Sequence, residues 1–183
     1  MPLLGAGCTL TSTEVEPDLP TGQVNGGSTL VFRADGLPVV TQNYTDIGTV
    51  LSSIFADPRG VSGRLSAGNV LTIYAADIQN PISTTTNGHS LRLTLNGFHG
   101  TATYQLMGFD SDYQETTHYQ SAQTQFTILT FFPAPTTTPQ VTVSQWDPLS
   151  RRLQGTFAFT AVANGSSQPV ALTDGRFDVT IDP

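Results

Sequence analysis

The chain has 183 residues, enough for one domain of ordinary size together with a tail. Only 11% of the residues are charged, against about 25% in a typical soluble domain, so we expect a neutral, polar surface like that of many secreted and envelope β proteins. The formal net charge is −7, and no run of basic residues occurs. Because a phosphate backbone requires a basic face, the sequence argues against nucleic acid as a partner.

The first eight residues predict a lipid anchor. They read Met-Pro-Leu-Leu-Gly-Ala-Gly-Cys, and small residues directly before a cysteine are typical of the end of a bacterial lipoprotein signal peptide. A leucine is usual three residues before the cysteine, but Gly5 occupies that position and Leu4 lies one residue further out. The charged region and most of the apolar region of such a signal are not among these residues, so we expect the precursor to begin upstream. The alternative is a free Cys8 in a tail.

Residues 9–27 predict a flexible tether. They are rich in Thr, Ser, Pro and Gly, and they carry scattered acids. A segment of this composition does not bury a core. We therefore divide the chain into a signal remnant over residues 1–8 that ends at Cys8, a tether over 9–27 and one domain over 28–183.

The domain opens with a hairpin signal and a helix signal. Residues 28–40 alternate around Asp35-Gly36, a dipeptide that favours a tight turn between two strands. Apolar residues then recur at helical spacing over residues 46–56, and Pro58 follows as a stop. This is the only helix signal in the chain, and its β-branched residues leave a short helix and an irregular segment as alternatives.

Five further segments carry strand patterns. They cover residues 69–76, 90–96, 101–107, 125–132 and 140–146, and turn-rich loops over 79–88, 108–123 and 133–139 separate them. This spacing predicts an all-β domain, either an antiparallel β-sandwich with an immunoglobulin-like or jelly-roll-like topology or a barrel.

We expect the C-terminal segment to organise the rest of the domain. Apolar residues alternate over residues 153–163 and again over 168–181, as in strands with one face in a core. Asn164-Gly165 favours a hairpin turn between them. Asp174-Gly175 is a second signal of this kind, which predicts either another hairpin or a bulge within one long strand.

Three acids form the best candidate for a metal site. Asp110, Asp112 and Glu115 offer oxygen atoms of the kind that calcium prefers. The segment lacks the glycine and the full length of an EF-hand loop, and three acids are too few to complete the coordination of calcium. A solvated acidic loop therefore fits better, and we expect neither a metal nor another cofactor.

Aromatic residues form a weak candidate for a ligand platform. Tyr113, Tyr119 and Trp146, together with Tyr104, would suit stacking against a sugar. Positions in the core or at the edge of a sheet are the competing interpretation for Tyr104 and Trp146.

The sequence contains no catalytic motif. The histidines, His89, His99 and His118, lack a close zinc spacing. Neither a G-x-S-x-G elbow nor a Gly-rich phosphate loop occurs. Residue order alone still permits a Ser-His-Asp arrangement, so a hydrolase with residues from the loops at 79–88 and 108–123 stays an alternative.

Two stretches resemble a known family. Residues 155–161, a short Asn-Gly loop and residues 170–179 resemble the closing pattern of a family of Bacteroidetes envelope proteins, domain of unknown function 6252. Residues 91–95 and 100–106 resemble the middle of its members. The resemblance spans residues 28–182 and consists of strand and turn patterns. It implies a lipoprotein signal, in agreement with Cys8, and brings no active site.

Together these observations predict a non-catalytic β-sandwich lipoprotein that acts as a binding or accessory module, not as an enzyme. Its expected partner is the outer membrane, through lipid on Cys8. A carbohydrate-binding module of a glycan-uptake system and the hydrolase are the alternatives. Surface-exported lipoproteins of this phylum often carry acids directly after the cysteine, whereas residues 9–13 are neutral. The periplasmic and the external face therefore both stay open.

Overall fold

A computed structural model describes Leu19 and residues 27–42, 60–78, 85–106, 110–119, 125–134, 138–163 and 168–183. These residues form eleven strands: β1 (Thr29–Ala34), β2 (Leu37–Gln42), β3 (Val61–Ser66), β4 (Val70–Ile78), β5 (Thr85–Leu95), β6 (Ala102–Gln105), β7 (Asp112–Tyr119), β8 (Gln125–Pro133), β9 (Gln140–Asp147), β10 (Arg152–Ala163) and β11 (Pro169–Asp182). None of the described residues lies in an α-helix. The predicted helix over 46–56 and the anchor residue Cys8 lie outside the described residues.

The strands form one mixed sheet in the order β2-β1-β11-β3-β4-β5-β7-β8-β10-β9-β6, and β10 also pairs with β11. This extra pairing closes a ring, because β11 joins both β3 and β10. Every pairing is antiparallel except that of β11 with β3, where Ile181 lies opposite Gly63. The prediction of an all-β domain is confirmed, whereas strictly antiparallel pairing is wrong at this contact.

The two C-terminal strands explain why the sheet is continuous. Each of them changes partners along one edge. β10 pairs with β9 over residues 152–158 and then with β8 over 161–163. β11 pairs with β1 over 172–178 and then with β3 at 181–182. Two separate sheets, as a sandwich requires, are therefore not confirmed.

β11 bulges at the Asp174-Gly175 signal. Phe157 of β10 lies opposite Gly175, but Phe159 lies opposite Leu172, so two residues of β11 face one residue of β10. Asp174 has a φ of +53°, a left-handed conformation that aspartate tolerates better than most residues. Of the two structures that this signal predicted, the bulge within one long strand is the one that forms.

The turn signals have different outcomes. The φ values of Asp35 and Gly36 are +48° and +84°, and Ala34 pairs with Leu37 across the turn. Two positive values suit a type I′ turn, whose twist matches that of a hairpin, so this prediction is confirmed. Asn164-Gly165 lies outside the described residues, although the strands on either side of it, β10 and β11, pair antiparallel.

Alternate residues of the strands fill one core. β4 and β5 lie side by side, and five of their inward residues are at most 1% exposed: Leu71, Ile73, Leu91, Leu93 and Leu95. The C-terminal strands add to the same cluster Leu153, Phe157, Phe159, Ala161, Leu172, Phe177, Val179 and Ile181. The segment expected to organise the domain thus lies at the centre of its packing.

Two strands differ from the sequence prediction. β3 reads Val-Ser-Gly-Arg-Leu-Ser, without apolar alternation, and β7 is mostly polar. Each is paired on both edges, β3 with β4 and β11 and β7 with β5 and β8, so backbone hydrogen bonds stabilise them where the side-chain pattern is weak. The predicted loops are consequently wrong over 85–88, which belong to β5, and over 112–119, which form β7. Among the described residues no helix is long and apolar enough to cross a membrane.

Candidate functional site

Two of the three acids considered as a metal site, Asp112 and Glu115, lie on a strand and not in a loop. Asp112 opens β7, and its carboxylate accepts a hydrogen bond from Arg92 of β5 and forms an ion pair with it. Asp110 precedes the strand and accepts a 3.1 Å hydrogen bond from the Asn96 amide. Glu115 lies further along β7, about 10 Å from Asp112 at the usual strand rise. The described residues contain no group of three side chains that would hold a metal.

The Asp112 carboxyl is poorly solvated. Burial raises its pKa above the ordinary 3.8, and both the charge of Arg92 and their hydrogen bond lower it by less. A carboxyl whose pKa is higher in the folded than in the unfolded protein favours the folded state when it is protonated. Its contribution to stability is therefore largest at a pH below its unfolded-state pKa. That contribution is lost as the pH rises through the folded-state pKa, because the folded protein must then release a proton that it binds more tightly.

We therefore expect Asp112→Asn to gain in melting temperature relative to the parent as the pH rises above about 4, the ordinary pKa of an aspartate. The asparagine does not titrate, so the variant does not lose stability through ionisation at this position as the parent does. Thermal melts of both proteins at several pH values measure the difference. Asp110→Asn is the matched control, because Asp110 is exposed. A melting-temperature difference between Asp112→Asn and the parent that is the same at every pH would contradict the expectation.

The aromatic candidates do not share an exposed platform. Tyr113 is a fully buried core residue, and a 2.7 Å hydrogen bond joins its hydroxyl to Nδ1 of His89. Trp146 is half-buried and packs edge-on against Phe98, with ring centroids 5.4 Å apart. Tyr119 ends β7, and its side chain lies outside the described part of the structure. Stacking against a sugar needs an open ring face, which Tyr113 does not provide.

The described histidine rings make local contacts. His89 lies against Tyr113, and Nδ1 of His99 lies 2.8 Å from the carbonyl oxygen of Gly97. No hydrogen bond found among the described residues joins either ring to a serine or threonine hydroxyl. His118 lies in β7, and its side chain is outside that part. The nucleophile and base that a hydrolase needs are therefore not brought together by these two histidines.

The outward face of β9, β10 and β11 carries a groove that the sequence analysis did not find. Its volume is about 490 Å³, and its lining residues are Gln140, Thr142, Thr156, Phe157, Ala158, Asp174, Gly175 and Arg176. These residues are distant in sequence, and each outward side chain alone is typical of a solvent-facing strand position. Only the strand register, which the sequence pattern does not specify, shows that they are neighbours.

A row of polar side chains crosses the groove. Thr156 of β10 lies directly opposite Arg176 of β11 on one side and Thr142 of β9 on the other. The row continues to Thr103 of β6, whose hydroxyl lies 3.1 Å from that of Thr142. Adjacent strands are about 4.8 Å apart, so the row presents hydroxyl groups and one guanidinium at regular intervals.

The charges at the groove are unevenly compensated. The exposed carboxylate of Asp174 lies 3.5 Å from Nε of Arg33. Arg176 is half-buried, and none of the hydrogen bonds or ion pairs found among the described residues involves it. The groove therefore holds one guanidinium that forms no ion pair with a carboxylate of the described residues.

The core beneath the groove contains two reciprocal pairs of glycine and phenylalanine. Gly155 lies opposite Phe177, and Phe157 lies opposite Gly175. A Cβ atom at Gly175 would lie 2.5 to 2.6 Å from atoms of the Phe157 ring. Each ring therefore covers the backbone of the opposite glycine, and close packing of this kind holds the strands under the groove in one arrangement.

Comparison with known proteins adds no relative. No family model, no curated protein and no solved structure matches the chain. The resemblance to the Bacteroidetes envelope family therefore stays a prediction, and the function has to be argued from the residues of this chain.

Proposed function

We propose that the chain is a non-catalytic binding module, held at the bacterial outer membrane by lipid on Cys8. The observation that supports binding is the groove over β9, β10 and β11. Ligand sites in proteins have volumes of about 300 to 1,000 Å³, and the groove has about 490 Å³. Its floor is made of paired strands over a packed core, a rigid support that suits recognition.

The same groove supports binding over catalysis. The lining residues that the structure describes supply hydroxyl, amide, guanidinium and carboxylate groups, and none of them is a histidine or a cysteine. Catalysis by a threonine hydroxyl would need an adjacent base, and the one carboxylate present, that of Asp174, is already paired with Arg33. The buried carboxylates elsewhere are similarly engaged: Asp112 with Arg92 and Asp178 with Arg152. Each of these three carboxylates is thus already engaged by an arginine, which disfavours it as a general base.

The anchor is supported by the sequence around Cys8. Three small residues, Gly5, Ala6 and Gly7, precede it, and 20 residues separate it from β1 at Thr29. Such a segment reaches at most about 70 Å when fully extended, so the domain can stay in water while its end is in a membrane. Each acyl CH₂ group in the bilayer contributes about 0.8 kcal/mol, and several chains on one cysteine give stable attachment.

We expect Cys8→Ala to move the protein from the membrane pellet to the soluble fraction. The gene is expressed with its upstream start in a Bacteroidetes host, and the fractions are compared by immunoblot. Thr9→Ala is the matched control and should stay in the pellet, since Thr9 carries no thiol to acylate. Intact-mass measurement of the parent should show an acylated N-terminal cysteine.

Two results would contradict the anchor. One is equal partition of the parent and Cys8→Ala between pellet and soluble fraction. The other is an unmodified thiol at Cys8 in the parent protein.

A further inference from the structure

Arg176 differs from the other arginines of the described chain. Arg33, Arg92 and Arg152 are each paired with a carboxylate, on Asp174, Asp112 and Asp178 respectively. Arg64 and Arg151 are exposed to water. Arg176 is half-buried inside the groove and makes none of the hydrogen bonds or ion pairs found among the described residues. A partly desolvated guanidinium without a counter-charge favours an anion that would lie against it.

We propose that the groove binds a carboxylated sugar, such as a uronic acid unit of a polysaccharide, and that Arg176 binds its carboxylate. This inference rests on the proposed binding function and adds the chemistry of the ligand. The chain as a whole has a net charge of −7, which repels anions at long range. The positive charge at Arg176 is therefore a local feature that selects a ligand by contact, not by overall attraction.

The charge of the ligand follows from the number of free cations at the groove. Arg33 and Asp174 offset each other, which leaves the single charge of Arg176. A guanidinium binds a carboxylate through two parallel hydrogen bonds and matches its charge of −1. A phosphate monoester carries about −1.5 to −2 near neutral pH and would be only partly compensated. A singly charged anion thus fits better than a doubly charged one, and a carboxylate presents two coplanar oxygen atoms to the planar guanidinium.

The other side chains that line the groove indicate the chemistry of the rest of the ligand. Thr142, Thr156 and Gln140 offer two hydroxyls and an amide, each of which can both donate and accept a hydrogen bond. A sugar ring presents hydroxyl groups with the same property at similar spacing. Among the described lining residues, Ala158 is the one with an exposed apolar side chain, and such a small apolar contact suits the C–H face of a sugar better than an aliphatic side chain.

The topology argues against a peptide as the ligand. Peptides that add to sheets do so along a free strand edge, where unpaired backbone groups are available. The strands that carry the groove, β9, β10 and β11, all lie inside the sheet and are paired on both edges. A peptide would therefore contact only side chains, without the backbone hydrogen bonds that give such complexes their affinity.

The test uses the 183-residue chain and pairs of trisaccharides that differ in whether their carboxyl groups are free or methylated. Galacturonate, mannuronate and guluronate trisaccharides are compared with their methyl esters by isothermal titration calorimetry. We expect at least one acid to bind about tenfold or more tightly than its ester, because esterification removes the charge that Arg176 binds. We expect its affinity to fall as NaCl is added, since part of the contact is electrostatic.

Variants assign the binding to Arg176. Arg176→Gln should weaken binding of that acid by about tenfold or more and leave its ester unchanged. Arg176→Lys should retain part of the affinity, because it keeps the charge but loses the second parallel hydrogen bond. Arg64→Gln removes an exposed arginine outside the groove and should bind like the parent. Melting curves of all variants verify that the fold is retained.

Three outcomes would overturn the inference: no acid binding better than its ester, equal binding by Arg176→Gln, or equal loss in Arg64→Gln. Each of these can occur while Cys8→Ala still releases the protein from the membrane. In that case the proposed lipid anchor is retained, and only the proposed ligand is wrong. Conversely, selective binding of an acid through Arg176 together with unchanged partition of Cys8→Ala would leave the ligand standing and remove the anchor.

Discussion

A chain that ends at Ala171 should not fold into a cooperative domain. The deletion removes four core residues of β11, Leu172, Phe177, Val179 and Ile181, which are between 0% and 4% exposed. Burial of each contributes about 1.5 to 3 kcal/mol. Their sum is comparable to the whole net stability of a domain, about 5 to 15 kcal/mol.

The topology makes the same deletion more damaging than the lost area suggests. β11 pairs with β10 along one edge and with β1 and then β3 along the other. Without its C-terminal part, β1 and β3 each lose a neighbour, and the ring of strands opens. The backbone groups of those strands would then have to be satisfied by water beside a core that is no longer covered.

Circular dichroism and urea titration measure the outcome. The truncated chain should show no sigmoidal unfolding transition, whereas the parent should show one. A chain that lacks only Pro183 is the matched control, because Pro183 is exposed and lies beyond the last strand. A cooperative melt of the truncated chain within a few degrees of the parent would show that β11 is peripheral.

The parts of the fold that the sequence predicts are those in which local signals and burial coincide. The β1–β2 turn is an example, because Asp35 and Gly36 adopt the positive φ values that the hairpin requires. β5 is another, since Leu91, Leu93 and Leu95 alternate and are all buried. In both cases a short stretch of sequence carries enough information to identify the structure.

The missed strands are stabilised by their neighbours and not by their own pattern. In β3, only Val61, Ser62 and Gly63 are buried, and the second half faces solvent. In β7, the side chain of Tyr113 is fully buried. The rest of the segment has the polar composition of a loop. A strand between two others gains its backbone hydrogen bonds from them, so its sequence need not show alternation.

The groove could not be predicted for a different reason. Its residues come from β9, β10 and β11, and their proximity depends on the register of two strand pairings, β9 with β10 and β10 with β11, and on the bulge at Asp174. A shift of one residue would exchange the inward and outward faces of a strand. The sequence offered Asp174-Gly175 as a choice between a turn and a bulge, and only the completed sheet decides between them.

The two glycine–phenylalanine pairs predict a difference between Gly175→Ala and Gly155→Ala. Loss of the facing phenylalanine ring should relieve the destabilisation in the first case and not in the second. Gly175→Ala should destabilise the domain by about 1 to 3 kcal/mol, the usual cost of overpacking a core. The three atoms nearest to the new methyl group all belong to the Phe157 ring, at 2.5 to 2.6 Å. Removing that ring should therefore remove the clash as well.

A double-mutant cycle tests this dependence. Phe157→Ala alone should cost about 3 to 5 kcal/mol. In that background Gly175→Ala should be nearly neutral, because its methyl group enters space that the ring has left. The coupling energy between the two substitutions should thus be about 1 to 3 kcal/mol, measured by urea unfolding with sucrose added to all samples so that the weakest variant stays folded.

The second pair should behave differently, because its clash includes backbone. A Cβ atom at Gly155 would lie closer than 3.0 Å both to the Phe177 ring and to the carbonyl oxygen of Thr142 in β9. Phe177→Ala relieves the first contact and leaves the second, so Gly155→Ala should stay destabilising in that background. Ala158→Val, which adds bulk at an exposed position of the same strand, is the control and should change stability by at most about 0.5 kcal/mol. Equal rescue of both glycine substitutions would mean that β9 and β10 separate easily, which contradicts a rigid floor under the groove.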